Sequence, residues 1–195
     1  MEQNTSNSNY IEETISLSRV NLYSAIIFLP IIVVLTLPYY FEWGLSISDF
    51  NPFGISSSLI FLLFIIIGMF LHEFLHAITW LIGSDLKWEE IQFGIKWKAM
   101  APYVHCSSPM RVSNYRTGIL MPFLVGILPY LFGLFWGRIW FTLYGMLFVI
   151  SAMGDFLSLT MLMKYKKQDL VKDHPDKIGF YIIKKGKKNG KNSRD

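Results

Sequence analysis

Four long apolar segments dominate the chain, and shorter polar segments separate them. The apolar segments cover residues 20–41, 55–82, 117–135 and 139–163. A helix of about 20 residues is long enough to cross the hydrocarbon core of a membrane. The pattern therefore predicts an all-α membrane protein with four transmembrane helices. Residues 1–19 form a polar lead, residues 20–165 the membrane domain and residues 166–195 a basic cytoplasmic tail.

The segment between the second and third apolar stretches, residues 84–116, has a different periodicity. From Ile91 to Trp97 apolar and polar residues alternate, which is typical of a strand with one apolar face. A second extended piece is expected at residues 101–104, and a further short strand in the tail at residues 178–183. The amphipathic strand region could bind an extended peptide at its edge, or it could simply cover the cytoplasmic mouth of the membrane domain.

The distribution of Lys and Arg indicates the orientation of the chain. All of the 18 basic residues except Arg138 lie in the lead, in residues 84–116 or in the tail from Lys164 onward. By the positive-inside rule, both termini and the central segment are cytoplasmic in a multi-pass protein of the cell membrane. Trp80 then falls near the inner membrane interface.

The composition agrees with a membrane protein and excludes other classes. Hydrophobic residues make up 52% of the 195 residues, and Cys106 is the single cysteine. One cysteine excludes an intrachain disulfide framework and a zinc site built from several cysteines. The net charge of +4 favours contact with anionic lipid headgroups of the membrane bilayer, and we expect no nucleic-acid partner.

The second apolar segment contains the pattern H-E-x-x-H, formed by His72, Glu73 and His76. Two histidines four residues apart lie on one face of a helix, so both can bind one metal ion. Glu73 is placed to hold and deprotonate a metal-bound water. The alternatives are a chance pattern or core residues satisfied by hydrogen bonds. Since each ionisable group near the centre of a spanning helix costs about 2.5–3.5 kcal/mol, the pattern favours a metal site.

A third ligand is expected, because catalytic zinc sites generally combine three protein ligands with a water. The second and fourth apolar segments both run toward the cytoplasm. At 1.5 Å per residue, His76 lies about 12 Å before the boundary near Ser84, and Asp155 about 14 Å before Lys164. Asp155 is also the only acidic residue of the third and fourth segments. We therefore predict that His72, His76 and Asp155 bind Zn²⁺.

Other roles for the candidate residues stay open. Asp155 could instead bond to Ser151 or Ser158 on its own helix, or line a polar cavity. His105 could be a rival ligand, an oxyanion donor or an ordinary loop residue, and it is a weak candidate for substrate binding. His174 precedes a proline, which favours extended geometry in a turn.

The order of these parts resembles the site-2 protease class of intramembrane zinc metalloproteases, whose third ligand is an Asp on a later helix. The chain is more closely similar to small bacterial membrane proteins classed as "putative zincin peptidases". The likeness covers roughly residues 55–183. The features that carry it are the His72–His76 motif, residues 102–106, Met121-Pro122, Gly154-Asp155 and residues 173–179. One departure is that Phe156 follows Asp155, whereas site-2 proteases typically have a longer signature ending in Asp-Gly.

The resemblance implies a zinc-dependent metalloendopeptidase that cleaves a membrane-embedded peptide or protein substrate near the cytoplasmic leaflet. Glu73 would be its catalytic base. The hypothesis from a different class is a non-hydrolytic, metal-binding membrane scaffold, such as an immunity or regulatory factor. A third is an ion or metal transporter, although four spans are few and no inverted repeat is visible.

Overall fold

The structure is a computed structural model and describes residues 10–46, 55–97, 101–174 and 178–183. Most of these residues are helical. The helices are α1 Leu17–Trp43, α2 Ile55–Gly83, α3 Val112–Leu120, α4 Phe123–Trp136, α5 Ile139–Ser151 and α6 Met153–Leu162. The strands are β1 Tyr10–Ile15, β2 Ile91–Lys96, β3 Ala101–Cys106, β4 Met110–Arg111, β5 Leu170–Asp173 and β6 Ile178–Ile183.

Four stretches of the described chain are long and apolar enough to cross a membrane, as the sequence predicts. They are Ala25–Trp43, Ser58–Gly83, Val112–Trp136 and Ile139–Leu162. Only 6% of the first stretch is buried within the protein, and large apolar side chains such as Leu29 and Phe41 point outward. So much exposed apolar surface is unusual for a protein in water, and it suits helices whose surroundings are lipid.

The third and fourth stretches each consist of two helices rather than one. The break between α3 and α4 lies at Met121 and Pro122, where proline has no N–H to donate. The break between α5 and α6 lies at Ala152, whose φ of −71° and ψ of 0° depart from helical geometry. The second break matters for function because it places Asp155 in the first turn of α6.

Glycines allow α4 and α5 to pack as a close antiparallel pair. A Cβ at Gly126 would collide with the backbone of α5, and one at Gly145 would collide with the backbone of α4. Small residues at such positions let two membrane helices approach closely.

The strands form two antiparallel sheets. The predicted strands in the central segment are confirmed as β2 and β3, which pair with Gln92 opposite His105. The predicted tail strand is confirmed as β6. It joins a second sheet with the strand order β1-β6-β5-β4, so the description of the chain as all-α with one small strand region was too simple.

Strand β1 comes from the segment that the sequence suggested as a polar lead, and residues 1–9 of that lead lie outside the described residues. Tyr10 pairs with Ile183 and Ile15 with Ile178. The six residues of β1 have no long apolar run, and their partner strand is at the other end of the chain. A local pattern therefore could not reveal this pairing.

The buried core lies where α2 and α3 meet both sheets. Ala77 and Trp80 of α2 pack there with Tyr115 of α3 and with Cys106 and Phe180 of the strands. This core fixes the end of α2 against the β2–β3 hairpin, and so it holds the motif helix beside the strands.

Candidate metal centre

Asp155 lies between the two histidines of the motif. His72 Nε2 is 3.1 Å from Asp155 Oδ2, and His76 Nε2 is 3.4 Å from Asp155 Oδ1. One nitrogen or oxygen atom from each of the three side chains lies within 4.8 Å of the other two. Both histidines are buried, at 8% and 6% exposure. The structure thus brings together the three residues that the sequence suggested as ligands.

The ring orientation of His76 is set by a backbone carbonyl. Its Nδ1 is 2.9 Å from the oxygen of Gly118 in α3. A carbonyl can only accept a hydrogen bond, so Nδ1 carries a proton, and Nε2 is the nitrogen that faces Asp155. Metal-binding histidines are commonly oriented by this kind of hydrogen bond.

Gly118 is required at this position because α3 comes very close to α2. A Cβ on Gly118 would collide with the indole ring of Trp80. Gly154, beside Asp155, is different: a Cβ there would meet nothing within 4 Å. The close approach in this site is therefore made at Gly118.

Trp80 lies in the core instead of in an interfacial belt. It is 3% exposed, and its ring stacks on His76 with centroids 5.5 Å apart. Tyr115 stacks on the other side of Trp80 at 5.1 Å. The sequence contains a signal for this contact, since Trp80 is four residues after His76 and therefore shares its helix face.

The residues fit a zinc ion by the chemistry of their donor atoms. Two imidazoles and one carboxylate are among the ligand sets that zinc uses in catalytic sites. In addition, Nδ1 of His72 is buried and has no hydrogen-bond partner among the described residues. The ring of His72 is therefore bonded through Nε2 to Asp155, and Nδ1 is its unsatisfied nitrogen.

Glu73 reaches from α2 to strand β3. Its Oε2 accepts a hydrogen bond of 2.9 Å from the backbone N–H of Val104. Glu73 follows His72 on α2, so its side chain leaves the helix on a neighbouring face. The catalytic-base candidate thus lies beside the possible ligands without belonging to them.

A cavity of about 480 Å³ extends from His76 and Asp155 to residues of strands β2 and β3. Glu73, His76 and Asp155 line one part of it, and His105 and Asp173 line another. His105 does not belong to the group of possible ligands found among the described residues. It does lie on the surface that a molecule in the cavity would meet.

Asp173 is a functional candidate that the sequence analysis did not identify. It is 7% exposed and accepts hydrogen bonds from the N–H of Cys106 at 2.8 Å and from the hydroxyl of Tyr115. His105 Nδ1 is 3.6 Å from the same carboxylate. Burial raises the pKa of Asp173 above its usual range, and the Cys106 and Tyr115 hydrogen bonds oppose this shift. No local pattern indicates that an acidic residue in a basic tail becomes buried.

His174 follows β5, and its N–H donates to the carbonyl of Gly179 at 3.0 Å across the loop to β6. Its Nε2 is 3.3 Å from a carboxylate oxygen of Glu12 in β1. His174 therefore links the end of β5 to β6 and to the edge strand β1. Residues 175–177 lie outside the described residues, so the turn that the sequence predicts there stays a prediction.

A helix with H-E-x-x-H whose two histidines meet a third ligand from elsewhere in the chain is the arrangement of zinc metallopeptidases. The family follows from comparison with known proteins. Residues 65–170 match the family described as "Putative zincin peptidase", and this match covers more than half of the chain, which therefore belongs to that family. Searches of curated proteins and of solved structures gave no match.

Proposed function

We propose that the protein is an intramembrane zinc metallopeptidase that hydrolyses peptide bonds of membrane-associated substrates near the cytoplasmic leaflet. The observation that supports this most is the group of His72, His76 and Asp155, which lies within two candidate membrane spans and beside Glu73. The family membership supports metallopeptidase chemistry. The placement of the basic residues supports the cytoplasmic side and a cell-membrane location.

In this proposal His72, His76 and Asp155 hold the zinc ion. When bound, zinc polarises a scissile carbonyl and lowers the pKa of its water to about 7. Glu73 takes a proton from the attacking water and passes it to the leaving amine. Water and substrate reach these residues through the cavity under the β2–β3 hairpin, which opens toward the cytoplasmic strands.

The first test is the zinc content and proteolytic activity of the purified protein and of Glu73→Gln. We expect about one zinc per chain in both proteins, since Glu73 is not a ligand. Cleavage of membrane proteins in proteoliposomes should fall by at least about 100-fold in the variant, because it lacks the general base. Glu89→Gln, at the membrane edge, is the matched control and should retain activity. Unchanged cleavage by Glu73→Gln would remove Glu73 from the mechanism.

A non-hydrolytic scaffold is the second candidate, and the hydrogen bond from Val104 to Glu73 favours it. In a scaffold, Glu73 would serve to fasten α2 to the strands, while the metal would brace α2 against α6. Its signature is a cellular phenotype that survives Glu73→Gln and is lost in His76→Ala. A peptidase would lose the phenotype in both variants.

A further inference from the structure

The carbonyl oxygen of Gly118, which accepts from His76, lacks its usual partner within the helix. In an α-helix each N–H donates to the carbonyl oxygen four residues earlier. The donor for Gly118 would therefore be residue 122, which is a proline and has no N–H. Nδ1 of His76 takes that place at 2.9 Å. A side chain of α2 thus satisfies a carbonyl that the sequence of the third span leaves unpaired.

The backbone is helical on both sides of this missing bond. Met121 has a φ of −61° and a ψ of −39°, and Pro122 has a φ of −62° and a ψ of −21°. The N–H of Met121 still donates to the carbonyl of Thr117, four positions back, at 3.2 Å. After the proline, the N–H of Leu124 donates to Met121, three positions back, at 3.1 Å. The regular ladder is therefore interrupted at the proline, and Gly118 is the residue whose carbonyl the proline leaves open.

The open carbonyl needs a partner because it lies in a buried part of the protein. Gly118 is buried, and Pro122 is among the fully buried side chains. A buried carbonyl without a hydrogen-bond partner is costly. Prolines in membrane helices are tolerated where a neighbouring group satisfies the freed carbonyl. At this proline the neighbouring group is a histidine of the candidate metal centre.

We propose that Pro122 is a positioning residue for the metal ligand His76. Because it has no N–H, it reserves the Gly118 carbonyl for Nδ1 of that histidine. A neutral imidazole carries a proton on one ring nitrogen only, so donation from Nδ1 leaves Nε2 for zinc. The inference rests on the zinc site of the proposed function and adds to it the residue that selects the metal-binding nitrogen.

Two changes at position 122 separate the missing N–H from the rest of the proline. Pro122→Ala introduces an N–H that competes for the Gly118 carbonyl. L-Lactic acid, incorporated at the same position by cell-free translation, is the ester analogue of alanine and has the same methyl group but no N–H. The space left by the proline ring is the same in both proteins, so the difference between them reports the N–H alone.

Zinc affinity, measured by competition with a chelator, should fall about tenfold in Pro122→Ala. Loss of an outer hydrogen-bond partner costs a metal site about 10–100-fold, and the lower end applies because a carbonyl can accept from two donors. The lactic acid protein should keep an affinity close to that of the wild type. Pro129→Ala is the matched control, because the N–H it introduces would meet the carbonyl of Val125 in the same span and not that of Gly118.

Nitrogen NMR of the histidine side chains reads the hydrogen bond without zinc and without an activity assay. The chain has four histidines, so the signals of His76 are assigned by their loss in His76→Ala. In the zinc-free wild type, the proton on Nδ1 should exchange slowly with water, because the ring is buried and bonded to Gly118. Pro122→Ala should accelerate this exchange at least about tenfold, and the lactic acid protein should not.

Equal zinc affinities of the Pro122→Ala and lactic acid proteins would overturn the inference, and so would equal Nδ1 exchange. An unreactive Cys106 thiol, which is fully buried in the folded protein, verifies that each variant has folded. Pro122→Val and its ester analogue, which fill more of the proline's volume, repeat the comparison if Pro122→Ala does not fold. A wild type that binds zinc without Glu73-dependent cleavage would contradict the proposed peptidase function and leave the role of Pro122 unchanged.

Discussion

His76 has a different neighbour on each part of its ring. Gly118 accepts from Nδ1, Trp80 stacks on the ring face, and Nε2 faces Asp155. The first two contacts orient Nε2, the nitrogen that would bind a metal, without engaging it. An imidazole that is already oriented loses little conformational freedom when a metal binds, so the neighbours of His76 should contribute to metal affinity.

The contact with α3 gives a prediction for Gly118→Ala. The added methyl group collides with Trp80, so α3 must shift and the hydrogen bond to His76 weakens. We expect a stability loss of roughly 1–3 kcal/mol and a zinc affinity about 10–100-fold lower, measured by thermal unfolding and by competition with a chelator. Gly154→Ala is the matched control, because a methyl group there has open space. Wild-type zinc affinity in Gly118→Ala would contradict this role of α3.

Asp155→Asn tests the third ligand directly. An amide oxygen is a much weaker zinc ligand than a carboxylate, so zinc affinity should fall by more than the roughly 100-fold that an outer hydrogen-bond partner can contribute. Asp169→Asn changes another buried carboxylate, one that accepts from the Lys166 N–H away from the site, and it should bind zinc normally. The same chelator competition compares both variants. If Asp155→Asn kept full affinity, Asp155 would be a neighbour of the site only.

At the scale of the elements, β3 joins helix α2 to the four-stranded sheet. Val104 bonds to α2 through Glu73, and Cys106 bonds to β5 through Asp173. The outer edge of β3 is thus held at two points. Val104 is held beside His76 and Asp155, and Cys106 is held in the buried core. The β2–β3 hairpin therefore lines the cavity, and the outer edge of β3 faces it.

The single cysteine reports whether β3 is packed in this way. Cys106 is fully buried, and burial raises the pKa of its thiol to about 11. At pH 8 its thiolate fraction therefore falls to about one in a thousand, against roughly a quarter for a free thiol. Iodoacetamide should label Cys106 in the unfolded protein within minutes, while mass spectrometry of the folded protein at pH 8 should show almost none. Labelling should accelerate above pH 10, because the thiolate fraction of Cys106 rises as the pH approaches the raised pKa of its thiol. Rapid labelling at pH 8 would show an open hairpin.

Much of this arrangement could be predicted from local patterns, and the remainder depends on long-range contacts. His72 and His76 share a helix face by their spacing, and Asp155 stood out as a lone acidic residue in two apolar segments. The alternation after Ile91 indicated β2. By contrast, Asp173 is buried against Cys106 and Tyr115, which lie 67 and 58 residues away along the chain, and no single stretch of sequence reports these contacts.

The breaks in the last two spans illustrate a second limit. Pro122 marks one possible break, but a proline within a span can also be accommodated by neighbouring helices. Ala152 gives no sign of the other break, since alanine is the best helix former. The position of Asp155 in a first turn could therefore be known only from the structure.

At the scale of the whole molecule, the sheet joins both ends of the described chain. Strands β1 and β6 pair along their full length, and Glu13 of β1 is 2.7 Å from Lys164 Nζ. Residues 10–15 and 178–183 must therefore lie on the same side of the membrane. The basic residues predict that this side is the cytoplasm.

Cysteine labelling tests that orientation. Arg138 and Lys166 are both exposed and lie at opposite ends of the fourth span, while the native Cys106 is buried. A membrane-impermeant maleimide should label Arg138→Cys in intact cells and Lys166→Cys only after permeabilisation. The reverse pattern would invert the topology and place the cavity at the outer leaflet.

The most direct test of a membrane-embedded peptidase is a proteome-wide comparison of peptide fragments derived from membrane proteins. The fragments are compared between cells that express the wild type and cells that express Glu73→Gln at the same level. We expect a set of fragments that depends on Glu73 and whose cleavage sites lie near the cytoplasmic ends of membrane segments. His76→Ala should remove the same fragments, because it removes one of the three possible metal ligands. Identical fragments in all three strains, with zinc present in the purified wild type, would contradict peptide hydrolysis as the function.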